Sequence, residues 1–139
     1  MEKYISVEGL VLPNESLSNF QLMEAVKKLK IPNFRGVFMR NELPKKPRKL
    51  ECGILNLDSA PGGGTHWVAW YKNSKNKLYF DSFGVQPPYE LITYLSSPVF
   101  YNTERIQPDD LVVCGHLCLF VLSRLSQGEI MQDVINYLF

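Results

Sequence analysis

Residues 114–125 read CGHLCLFVLSRL. Apolar side chains fall on every side of a 3.6-residue period, so the stretch is predicted as a helix buried all round. Gly128 breaks it, and residues 129–138 follow as a short amphipathic helix. A helix this apolar needs cover, and the chain before it supplies strands. Residues 52–57 (CGILNL) form a short apolar run. Residues 65–72 (THWVAWYK) and 77–83 (KLYFDSF) are two β-rich runs joined by the polar turn Asn73-Ser74-Lys75-Asn76, a hairpin pattern. Residues 99–107 (VFYNTERIQ) read as a further strand.

Helices flank these strands. Ser18 and Gln21 form a capping box ahead of Leu22, Met23, Val26 and Leu29 at helical spacing, and Pro32 stops the run, which predicts a helix over 19–30. Pro87 and Pro88 open a helix-like segment through Leu95. Residues 1–17 have weak periodicity and read as a loose or strand-like arm, leaving 18–139 as a single domain. The expected fold is α+β: a central buried helix packed against a mainly antiparallel sheet, with smaller helices at its flanks.

Composition narrows the function. The 139 residues carry 45% apolar side chains, which excludes a disordered or fibrous chain. A formal net charge of +1 argues against a surface given over to nucleic acid, although Lys45, Lys46, Arg48 and Lys49 could make a weak local DNA contact. The N-terminal residues lack the pattern of a signal peptide. Three cysteines, Cys52, Cys114 and Cys118, are too few and uneven for a disulfide framework, and with two histidines they give no zinc spacing. A reducing, intracellular setting is the expectation.

Cys114 opens the apolar helix, where the positive end of the helix dipole favours a thiolate. It needs a base. His116 lies two positions on, about 200° around the helix axis, and is turned away from the thiol. His66, just after Gly62-Gly63-Gly64, is the remaining histidine. Glycine leaves that backbone open to close approach by another chain, making Gly63, Gly64 and Trp67 candidate substrate contacts. Trp67 is also expected to pack on the His66 ring.

If the hairpin turn is centred between Ser74 and Lys75, paired positions sum to 149. His66 and Asp81 then become diagonal neighbours on one face, ~7–8 Å apart at the backbone, and Asp81 can orient the imidazole. Gln107 stands seven residues before Cys114, and its amide is a candidate oxyanion donor beside the Cys114 N–H. Cys118, one turn along the helix, is expected to be core.

The order His66-Trp67-Val-Ala-Trp, then YFDSFG, then Gln107 and Cys114-Gly115 resembles the adenovirus-type cysteine proteases (adenains), in a clan shared with the ubiquitin-like-protein proteases. NFRGVFMRNELP and LECGILNL follow the adenain order, and FRGVFMRN with CGHLC is also similar to proteins of Maverick/Polinton-type transposons. The resemblance implies a thiol endopeptidase with Cys114 as nucleophile, His66 as base, Asp81 as orienter and Gln107 at the oxyanion. It implies viral or transposon capsid precursors cut at Gly-containing sites, in a host nucleus or virion. Removal of a ubiquitin-like modifier, or a silent binding module on the same fold, stands as the alternative. Adenains more often carry Glu where this chain has Asp81. An activating peptide or DNA is implied as cofactor, the peptide without a disulfide, because no cysteine lies between Asp81 and Gln107.

Overall fold

A computed structural model of the chain describes residues 3–58, 66–107 and 112–138. Five strands form one sheet in the order β3-β4-β5-β6-β7: β3 (Phe34–Met39), β4 (Glu51–Asn56), β5 (Trp67–Lys72), β6 (Lys77–Phe80) and β7 (Phe100–Tyr101). The two central pairings are antiparallel and the two outer ones parallel. A separate antiparallel hairpin, β1 (Tyr4–Val7) with β2 (Leu10–Pro13), completes a mainly antiparallel set. Among the described residues four helices surround it: α1 (Asn19–Leu29), α2 (Tyr89–Leu95), α3 (Cys114–Ser126) and α4 (Met131–Leu138). The architecture is α+β, as the sequence pattern predicts.

The sheet separates two cores, and strand alternation decides which residue joins which. Trp67 and Ala69 of β5, Phe80 of β6 and Ile54 of β4 face α3, α1 and the β1–β2 hairpin. Val68, Trp70, Tyr79 and Leu55 face the other way, onto Leu91, Tyr94 and Leu95 of α2. All six positions of β4 are buried, as expected for a strand covered on both faces. Gly53 has a local reason to be glycine. It pairs with Trp70, whose indole lies so close that a Cβ on Gly53 would sit 2.3 Å from the ring.

The helix at 19–30 begins as predicted. Gln21 N–H donates to Ser18 Oγ at 3.1 Å, and Ser18 N–H donates to Gln21 Oε1 at 2.8 Å. The hairpin register also matches the expected sum, with Ala69 opposite Phe80 and Trp70 opposite Tyr79.

One expectation changes. The strand over 99–107 shrinks to Phe100–Tyr101. Beyond it the chain leaves the sheet edge and bonds instead to residues 81 and 82, described below. Within 1–17, expected as a loose or strand-like arm, the strand-like form is what is seen: residues 4–13 make a hairpin whose Val7 and Leu12 join the core under α3.

Candidate active site

Site residues gather where β5 begins, β6 ends and α3 begins. His66 and Asp81 lie one residue outside the paired strands, and the even register brings their side chains together across the end of the hairpin. His66 Nε2 meets Asp81 Oδ1 at 2.6 Å, with both residues buried. The Asp81 carboxylate is held by the turn that follows it. Phe83 N–H donates to Oδ1 at 2.9 Å and Val85 N–H to Oδ2 at 3.3 Å, so the acceptor is fixed before the imidazole arrives.

The Cys114 thiol and the His66 imidazole interact, and each shifts the protonation of the other. The Trp67 backbone N–H donates to Cys114 Sγ at 3.4 Å. The thiol stands at the first residue of α3, whose first turn holds no acidic side chain.

Burial alone would raise the Cys114 thiol. The His66 imidazole, the Trp67 N–H and the Gly115 N–H outweigh it, and the thiol lies below the ordinary range. Burial likewise works against a charged His66, but Asp81 and Cys114 together raise the imidazole to about 9. Both shifts favour one state, a thiolate–imidazolium pair. The other two cysteines behave oppositely: burial pushes Cys52 up to about 12 and Cys118 well above its ordinary value.

These directions fix a pH profile. Alkylation of Cys114 by iodoacetamide is expected to climb at a pH below the ordinary thiol value of about 8.5. Any reaction that draws a proton from the imidazolium should fall again near pH 9, where His66 loses it. Asp81→Asn removes the charge that raises the imidazole, so this alkaline limb should move to lower pH. An alkylation curve centred at the ordinary thiol value would rule out the ion pair.

Gln107 is 2% exposed and sits against the same turn. Its Oε1 accepts from Ser82 Oγ at 2.7 Å, and its backbone N–H donates to Ser82 O at 3.0 Å. Asn102 latches the neighbouring position: its Oδ1 accepts from Asp81 N–H at 3.0 Å and its Nδ2 donates to Asp81 O at 2.7 Å. Gly84, at φ +72°, closes the turn where a Cβ would lie 2.6 Å from Thr103 O. Ser82 and Asn102 escape sequence reasoning because their partners lie about twenty residues away. The nearest sequence cue is their position beside Asp81 and before Gln107.

The ring that stacks on His66 is Phe83, with centroids 4.4 Å apart and planes 9° from parallel. This corrects the expectation for Trp67. Consecutive strand residues point to opposite faces, so the Trp67 indole turns away from His66 into the α3 core. There its Nε1 donates to Leu17 O at 2.8 Å, and it presses on Gly115. At 7% exposure Trp67 meets the thiol mainly through its backbone. Gly63 and Gly64 lie outside the described residues.

His116 is buried, with Nε2 on Pro13 O at 2.8 Å, and burial lowers its pKa, so it pins the β1–β2 hairpin to α3 as a neutral ring. Cys118 is fully buried. Lys45, Lys46, Arg48 and Lys49 are exposed, but their backbone turns inward. Lys46 O accepts from Arg35, Arg48 N–H donates to Glu51, and Lys72 Nζ donates to the Arg48 and Lys49 carbonyls. Neither this geometry nor the relatives described next support a DNA contact. Among the described residues there is no cluster able to hold a metal and no helix long and apolar enough to cross a membrane.

No protein-family model matches the chain. A curated relative, the protease of Bovine adenovirus 2, is 32% identical over 53% of this chain and 45% of its own length. The chain thus spans about half the length of the curated relative it matches. Two crystal structures of the ASFV pS273R protease, the second a Se-Met form, match with TM-scores of 0.63 and 0.65. They are 19% and 18% identical, with 88% of this chain covered and 61% and 62% of those chains. At that identity the likeness is one of fold. The chain is thus similar in sequence to an adenovirus protease and in fold to the ASFV pS273R protease.

Proposed function

We propose that this chain is a cysteine endopeptidase that cuts viral or transposon-encoded capsid precursors at Gly-containing sites. The observation that carries the reading is the buried group Asp81, His66 and Cys114, with His66 Nε2 on Asp81 Oδ1 at 2.6 Å and the thiol biased toward the thiolate. The Cys114 thiolate attacks the peptide carbonyl, forming a C–S bond and a tetrahedral oxyanion. The Cys114 N–H and the Gln107 side-chain amide hold that oxyanion. The His66 imidazolium gives its proton to the leaving amine as the C–N bond breaks, leaving a thioester. The neutral imidazole then takes a proton from water, whose oxygen attacks the thioester and releases the new carboxylate and the thiol.

The adenovirus relative supports a virion or an infected cell as the setting. A second reading, removal of a ubiquitin-like modifier, is favoured by Asp81, since the resemblance associates Asp at this position with the modifier proteases and Glu with adenains.

The test is an electrophilic peptide ending in Gly-Gly, with mass-spectrometric mapping of the labelled cysteine. Cys114 is expected to be labelled, with Cys52 and Cys118 untouched. Labelling of Cys52 instead would sink the assignment. A panel of capsid-precursor peptides and modifier conjugates then separates the two substrate classes.

A further inference from the structure

We infer that Ser82 is a positioning residue for Gln107, holding that side-chain amide in place for the oxyanion; this rests on the proposed function. A carboxamide has two ends of nearly equal size, one accepting and one donating, and only the donating end can stabilise a developing oxyanion. Packing alone distinguishes them poorly. A buried hydrogen bond fixes the arrangement seen here: Ser82 Oγ donates to Gln107 Oε1 at 2.7 Å, with Ser82 fully buried and Gln107 2% exposed. That bond holds Oε1 on the Ser82 side and turns the NH2 end to the opposite side of the amide.

The backbone around this pair is secured separately. Ser82 O accepts both Ile106 N–H at 2.8 Å and Gln107 N–H at 3.0 Å. Asn102 holds Asp81 from the same side. Ser82→Ala therefore removes the hydroxyl while keeping the carbonyl clamp, so it probes amide orientation rather than loop placement. Asp81 thus serves the imidazole while its neighbour serves the amide.

The experiment compares two reactions of Cys114 in the full chain. Acylation by p-nitrophenyl acetate passes through an oxyanion: the thiolate adds to the ester carbonyl and p-nitrophenolate departs. Alkylation by iodoacetamide displaces iodide at carbon and forms no such oxyanion. Gln107→Ala is expected to slow acylation by about 10²-fold, the usual scale for one oxyanion donor, and to leave alkylation nearly unchanged. Ser82→Ala is expected to slow acylation by about tenfold or more, again sparing alkylation. In the Gln107→Ala background, Ser82→Ala should cost nothing further, because its effect runs through that amide.

The inference is overturned if Ser82→Ala acylates like the parent chain, if its loss is the same with and without Gln107, or if alkylation falls in step. If the alanine variant does not fold, Ser82→Cys, close in shape but a much weaker donor, carries the same comparison. If Gln107→Ala itself acylates at the parent rate, the oxyanion role of Gln107 fails, and the Ser82 inference with it. A parent chain whose Cys114 reacts with neither reagent contradicts the proposed function instead.

Discussion

His66→Ala is expected to lower peptide hydrolysis by about 10⁴-fold or more, to near background, the scale of losing a group that acts as a unit with its nucleophile. Three contributions vanish together. The thiol loses the partner that most strongly offsets its burial. The leaving amine loses its acid, and the attacking water loses its base. No second histidine can substitute, since His116 is committed to Pro13 O. Alkylation of Cys114 should survive through the helix N-terminus and the Trp67 N–H, but its pH midpoint should move upward. The measurements are kcat/KM on a cleavable peptide and the alkylation rate against pH, with circular dichroism to confirm folding. Hydrolysis within about tenfold of the parent would mean that the Asp81–His66 contact is packing and not catalysis.

Glu51→Ala carries the largest expected effect on stability, about 3–5 kcal/mol, the usual cost of deleting one partner of a buried ion pair. Glu51 is 1% exposed and gathers four donors. They are Arg35 Nη1 at 3.1 Å, Arg48 N–H at 2.6 Å, Trp70 Nε1 at 2.8 Å and Tyr94 OH at 2.7 Å. The carboxylate thus ties β3, the 41–49 loop, β5 and α2 to the start of β4. Removal strands a half-buried guanidinium and leaves two buried donors without an acceptor. Glu51→Gln should fall between, because the amide keeps one acceptor oxygen while its NH2 faces Arg35. Urea unfolding measures both. A loss under about 1 kcal/mol for the alanine variant would contradict this account of the network.

The parts of the site legible in the sequence are those set by local periodicity. The polar turn at 73–76 fixes the hairpin register, and an even register puts His66 and Asp81 together without further information. The apolar period of 114–125 places Cys114 at a helix start, and the two-residue offset turns His116 away. Long-range bonds are what the pattern could not supply. VFYNTERIQ has strand-like residues, yet only Phe100–Tyr101 pairs, because Asn102 and Gln107 find better partners in Asp81 and Ser82 than a sheet edge offers. Phe83, rather than Trp67, covers His66; strand alternation already excludes the latter, so that information was present in the sequence. Glu51 reads as one polar residue opening an apolar strand, and its four donors come from four separate segments.

Asp81 and Ser82 are covalent neighbours, yet one steadies the His66 ring and the other the amide of Gln107. The proposed base and the proposed oxyanion donor therefore stand on a single mechanical support, the turn closed by Gly84 and latched by Asn102. Such an arrangement has no partial failure mode. A shift of that turn by an ångström spoils both halves at once, so damage there should switch the chain off abruptly, whereas wear elsewhere on the sheet would dim it by degrees.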